Sequence, residues 1–131
     1  MRVILYIHQL PQHLLGLLLL WLYDAEYFMQ IDGSKLYVAD KMSGAISLGN
    51  YIIMSNYSST KELTQYHEYG HSRDSRRWGW LYLLVIGLPS ILNAMFGFTS
   101  FYYDFWTERR ADRLGGITRD EDNNRVLTNK I

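Results

Sequence analysis

The sequence predicts an α+β fold, and three observations predict it. Residues 30–56 mix β-branched and aromatic residues with Gly33, Gly44 and Gly49, which reads as short strands joined by turns. Two polar segments, 59–79 and 104–116, carry helical spacing and end on glycine. Two apolar stretches, 3–23 and 78–103, accompany them. The chain has 131 residues, which suits one domain spanning 1–131.

The first apolar stretch, 3–23, follows Arg2 and precedes Asp24 and Glu26, as in a signal anchor. His8, Gln9, Pro11, Gln12 and His13 interrupt it, and the unbroken part, 14–23, is too short to cross a bilayer as a straight helix. No small-residue cleavage site follows, so a removed signal peptide is not expected. An apolar helix and a membrane anchor both remain open for it. Two strands are expected, near 35–39 and 45–55, with a turn at 41–44. The helix at 59–79 is predicted to start on a capping box formed by Ser59 and Glu62 and to stop at Gly79. Residues 78–103 are uncharged and contain Gly87, Pro89 and Gly97. The second polar helix ends at Gly115 and Gly116, and the tail 118–131 is polar and expected to be loosely held.

Thirteen basic and thirteen acidic residues balance, so no overall field draws the chain to nucleic acid. Cysteine is absent, which leaves His, Asp and Glu as the strong metal ligands available.

Against that background "YHEYGH", residues 66–71, stands out. On a helix His67 and His71 lie one turn apart on the same face and can direct imidazole nitrogens at one point. Glu68, displaced around the cylinder, reaches a metal-bound water rather than the metal and is the expected general base. Zinc is the default ion, because it accepts two imidazoles and a carboxylate while leaving a fourth position open. Glu108 is the best third ligand. Asp112, one helical turn on, is expected to accept the far N–H of His67 and so orient it.

"HEYGH" followed by Glu108-x-x-x-Asp112 resembles the gluzincin metallopeptidases, and "TERRADR" resembles especially their membrane-associated branch of heat-shock and prenyl-protein peptidases. The chain is also similar to minimal gluzincins of about this size. The likeness covers 45–77 and 104–116. It implies a minimal zincin-like domain with the active-site helix beside a short β-sheet, Zn2+ on His67, His71 and Glu108, Glu68 as base, and a peptide or protein substrate laid along "AISLGNYIIMS", 45–55. Arg110 stands where that branch has a second Glu, and Arg77 stands where metzincins have a third His, which excludes the latter group. A donor to the developing oxyanion is also implied. Tyr102, Tyr103 and Arg110 are the candidates, with aromatic packing as the plainer role for the tyrosines.

If 80–99 crossed a bilayer once, its ends would lie ~30 Å apart and Glu108 could not reach the histidines. The insert 78–103 is therefore expected to fold back as an apolar helical hairpin, broken near Gly87, Pro89 and Ser90. Arg73, Arg76 and Arg77 before it and Arg109, Arg110 and Arg113 after it put both ends, and the motif, on the cytoplasmic side. The hairpin either dips into the membrane or packs on the N-terminal helix, and membrane association is favoured because two such stretches would otherwise expose a large apolar patch. The function expected is a membrane-associated zinc peptidase; the alternative is a non-catalytic membrane or interaction protein that keeps the metal site.

Overall fold

Asp32 and Gly33, with φ of 44° and 84°, make the two-residue turn that pairs β1 (Glu26–Ile31) with β2 (Ser34–Val38). Positive φ at both central positions matches the right-handed twist of the strands, and glycine takes one of them without strain. A second hairpin joins β3 (Ala45–Leu48) to β4 (Tyr51–Met54), and β4 runs parallel to β2, giving the order β1-β2-β4-β3. β3 is therefore a sheet edge. The structure is a computed structural model that describes residues 2–99 and 101–128.

Six α-helices accompany the sheet among the described residues: α1 (Arg2–His8), α2 (Leu10–Leu22), α3 (Asn56–Ser59), α4 (Glu62–Trp78), α5 (Leu88–Phe96) and α6 (Trp106–Leu114). A small hairpin of β5 (Ile117–Arg119) and β6 (Arg125–Leu127) closes the described chain. The chain is thus α+β. Ile31, Leu36, Ile52 and Met54 of the sheet pack with Tyr66 and Tyr69 of α4 and with Ile117, all nearly or fully buried. Such burial, at roughly 1.5–3 kcal/mol for a full aliphatic side chain, fixes α4 across the sheet.

α6 then crosses α4 at backbone contact. A Cβ on Gly70 would overlap the carbonyl of Ala111, and one on Gly115 would overlap that of Tyr66. Next to the crossing, the Arg110 guanidinium donates to both oxygens of the fully buried Asp74, at 2.6 and 3.0 Å. Arg110 is thus a strut between the helices, and it is not among the residues lining the cleft described below.

Several expectations need correction. The stretch 3–23 is not one helix: α1 ends at His8 and α2 starts at Leu10, with Pro11 in its first turn, where a missing N–H costs nothing. The capping box does not form. Ser55 caps α3 by accepting from the Ser58 amide, the Ser59 hydroxyl donates to the Asn56 carbonyl, and α4 begins at Glu62 without a side-chain cap. The segment 45–55 is two strands, divided by a turn at Gly49 and Asn50. β1 was not foreseen. The insert 78–103 is one helical arm and not a hairpin, because Gly79 at φ 58° ends α4 and the chain bends by 120° between Glu62–Leu81 and Leu83–Phe96. Pro89 lies within the continuous arm Leu83–Phe96, just after a π-helical turn at Leu83–Gly87, and does not reverse the chain; the return leg carries only a 3-10 turn, Tyr102–Asp104. The tail 118–131 is structured through β5 and β6; residues 129–131 lie outside the described residues.

The apolar segments pack with their polar side inward. α2 buries Gln12, His13 and Gly16 while Leu14, Leu17, Leu18, Trp21 and Leu22 are exposed. Gln12 donates to Ser75 Oγ at 3.0 Å and to the Gly79 carbonyl at 2.6 Å, and Ser75 donates to Gln9 Oε1 at 2.6 Å. The same inversion holds in α5, where Asn93 is buried and Leu88, Ile91, Met95 and Phe96 face outward. No helix among the described residues is long and apolar enough to cross a membrane.

Candidate metal centre

The close crossing of α4 and α6 sets the site. With no Cβ at Gly70 to hold the helices apart, Glu108 on α6 reaches both histidines of α4. Nε2 of His67 and Nε2 of His71 lie 3.2 and 2.9 Å from the same oxygen, Oε1 of Glu108. One ligand atom from each of the three buried residues falls within 4.8 Å of the others. Tetrahedral zinc with bonds of about 2.0–2.2 Å needs its ligand atoms ~3.3 Å apart, so the group is of the right size for one ion. Two imidazoles and a carboxylate are also the donor set zinc accepts. A buried group that can hold a metal ion is therefore present at His67, His71 and Glu108.

Surrounding residues orient these ligands. His67 Nδ1 donates to Asp112 Oδ1 at 2.7 Å, which orients the ring with Nε2 toward Glu108, so that Nε2 is the nitrogen available to a metal once its proton is lost. Arg125 of β6 donates to both Asp112 oxygens, at 2.8 and 2.9 Å, and its guanidinium lies 3.4 Å over the ring of Tyr103. Tyr103 in turn sets its ring edgewise on His67, centroids 5.0 Å apart. On the ligand side, Thr107 donates to Glu108 Oε2 at 2.6 Å and Ser90 of α5 donates to Thr107 at 2.8 Å. That relay leaves Oε1 of Glu108 free to face the histidines.

The electrostatics follow from burial and these bonds. Burial works to lower the His67 pKa, but hydrogen bonds to Asp112 and Glu108 outweigh it and raise it to about 9. Burial would raise Glu108, yet the hydrogen bonds from His67 and His71 hold it well below the usual carboxylate range. Asp112 is likewise lowered, with the bonds from His67 and Arg125 overcoming burial. Glu68 is shifted upward, chiefly by burial. That is the direction a general base requires.

An apolar cleft of about 260 Å³ opens onto the centre. Glu68, His71, Ser90 and Tyr102 are among its polar lining, and edge strand β3, Leu15 of α2, and Leu83 and Ile91 of the insert are among its walls. Of the three residues considered as oxyanion donors, Tyr102 alone lines this cleft. Its pKa is raised by burial first and then by the charges of Glu108 and Glu68, so the phenol keeps its proton and can donate it in a hydrogen bond. Tyr103 sits against His67 and beneath Arg125 instead. Of the segment 45–55, β3 borders the cleft and β4 lies inside the sheet.

Sequence reasoning missed Ser90, Thr107 and Arg125. Thr107 carried a signal, a hydroxyl adjacent to a proposed ligand; the other two act across the fold and carried none. Comparison with known proteins adds nothing to this geometry, since no family model, curated protein or solved structure matches the chain.

Proposed function

We propose that the chain is a zinc-dependent peptide-bond hydrolase docked on a membrane, of the gluzincin type. The observation that carries this reading is the convergence of His67, His71 and Glu108 at a cleft that also holds Glu68 and is bordered by a free strand edge. A bound zinc ion would supply Lewis acidity, acidifying a water molecule and polarising the scissile carbonyl. The chain's own residues supply the rest. β3 offers unpaired backbone groups to an extended peptide. Glu68, with its raised pKa, takes the proton of the attacking water and returns it to the leaving amine. Tyr102 donates a hydrogen bond to the oxygen on which negative charge develops. The cleft reaching Glu68 and His71 favours a hydrolase over a non-catalytic scaffold, which needs no such opening.

Membrane docking is supported by the inverted helices. In water a helix exposes its polar side, whereas α2 and α5 expose leucine, isoleucine, tryptophan and phenylalanine and bury glutamine, histidine and asparagine. Trp21 is 78% and Trp80 62% exposed, and tryptophan is enriched at the membrane–water boundary. The arginines that flank the apolar insert support a cytoplasmic location for the site.

The test is Glu68→Gln in the zinc-loaded full chain. Hydrolysis of fluorescein-labelled casein and of a mixed peptide library is expected to fall by about 10²–10⁴-fold, with zinc content unchanged. Parent protein that binds zinc and cleaves none of these, or a variant as active as the parent, would refute the reading.

A further inference from the structure

A second cavity, of about 240 Å³, lies away from the cleft and is lined by Arg109, Arg113 and Arg119 with Asp112 and Ile117. Asp112 contributes little free charge there, because both its oxygens are engaged by Arg125 and one also by His67. Arg109 and Arg113 stand one turn apart on α6, a like-charge spacing that destabilises a helix, and neither has an ion-pair partner among the described residues. Arg119 forms an ion pair with Asp104 at 3.3 Å and donates at 3.4–3.5 Å to the carbonyls of Asn123 and Tyr103. Asp120 of the adjoining turn accepts the amides of Asp122 and Asn124 on its Oδ1. The cavity thus gathers three guanidinium groups, of which Arg109 and Arg113 have no carboxylate partner among the described residues and Arg119 pairs with Asp104.

Its position relative to the apolar surface identifies the partner. An unbroken line of ring contacts, Phe96–Phe98 at 6.3 Å, Phe98–Phe105 at 5.7 Å and Phe105–Trp106 at 6.2 Å, joins the exposed end of α5 to the first residue of α6. From exposed Trp106, Arg109 and Arg113 follow at three and seven residues on the same helix face. Arg119 joins the cavity to the same surface by lying 5.4 Å over the ring of exposed Phe101. The order is aliphatic, aromatic, arginine. A bilayer presents hydrocarbon, interface and phosphate in that same order.

We infer that Arg109, Arg113 and Arg119 form a binding site for the phosphate of an anionic phospholipid headgroup, at the rim of the membrane-docking face. This rests on the membrane part of the function proposed above and is independent of the hydrolytic part. Guanidinium suits the ligand because it pairs with phosphate oxygens in bidentate fashion.

The test is flotation of the full zinc-loaded chain, synthesised cell-free in the presence of vesicles of phosphatidylcholine alone or with one third phosphatidylglycerol. The parent is expected to prefer the anionic vesicles, and the preference to disappear in molar salt. Arg109→Gln with Arg113→Gln should cut that preference about thirtyfold, roughly fivefold for each arginine, while binding to neutral vesicles and zinc content stay at the parent's level. Equal binding to both vesicles would overturn the headgroup site and leave membrane docking standing, whereas binding to neither would overturn both. A preference that survives the double substitution or molar salt would also overturn it. Saturable binding of inorganic phosphate by the parent without any vesicle preference would assign the cavity to free phosphate instead.

Discussion

Both carboxylates that meet the histidines, Glu108 and Asp112, are also held by a partner other than histidine. Thr107 occupies one oxygen of Glu108, and Arg125 grips both oxygens of Asp112, so each carboxylate presents a fixed face to an imidazole. Arg125 is therefore a positioning residue that acts through Asp112. Replacing it with Gln should let Asp112 turn away from His67 Nδ1 and lower zinc affinity about tenfold, as loss of a ligand-orienting group commonly does. Competition against a chromophoric chelator measures this; an unchanged affinity would mean that Asp112 is held without the arginine. Helical spacing, a local rule visible along the chain, pairs His67 with His71 and Glu108 with Asp112, and the need of zinc for a third ligand together with the gluzincin resemblance joins the two segments. Arg125 obeys no such rule. It meets Asp112 only because the β5–β6 hairpin folds back on α6, and a tail expected to be loose offered no hint of that.

At the scale of elements, the site depends on how closely two helices cross. Gly70 inside the "HEYGH" stretch permits the contact with Ala111, so Gly70→Ala should force α6 outward, cost about 1–3 kcal/mol and reduce bound zinc. Gly87→Ala is the control. A Cβ there meets nothing nearer than 3.6 Å, and an alanine in a helix should be neutral or stabilise by roughly 0.5–1 kcal/mol. Thermal melting with zinc analysis separates the two; Gly70→Ala that melts and binds zinc like the parent would show that the crossing does not set the site. The two polar helices were readable because amphipathic spacing and terminal glycines mark them. β1, an edge strand with only one β-branched residue and mostly exposed positions, lacks the alternation that marks a half-buried strand. The insert departs from the expected hairpin because the helix runs through Pro89, with a π-helical turn at Leu83–Gly87 before it, and the chain bends instead ahead of Leu83.

Across the whole molecule, one side is built as the inverse of a water-soluble surface. Gln9, Gln12 and His13 look, in sequence, like flaws in an apolar segment; in the fold Gln9 and Gln12 bond to Ser75, with Gln12 also reaching Gly79, and the His13 ring packs on Gly49. Periodicity alone could not tell which side of these segments faces inward, because that depends on Ser75 and Gly79 being waiting partners elsewhere in the chain. The same arrangement leaves Leu15 and Ile91 both at the walls of the cleft and on the exposed apolar surface, so the proposed docking face and the proposed catalytic opening share residues. All of the proposed chemistry depends on one cation being held between α4 and α6. X-ray absorption at the zinc edge of the loaded full chain tests this most directly. The account predicts one zinc per chain with two imidazoles and oxygen donors around it, and a loss of that spectrum in Glu108→Ala. No stoichiometric zinc, or a spectrum without histidine scattering that Glu108→Ala leaves unchanged, would contradict it.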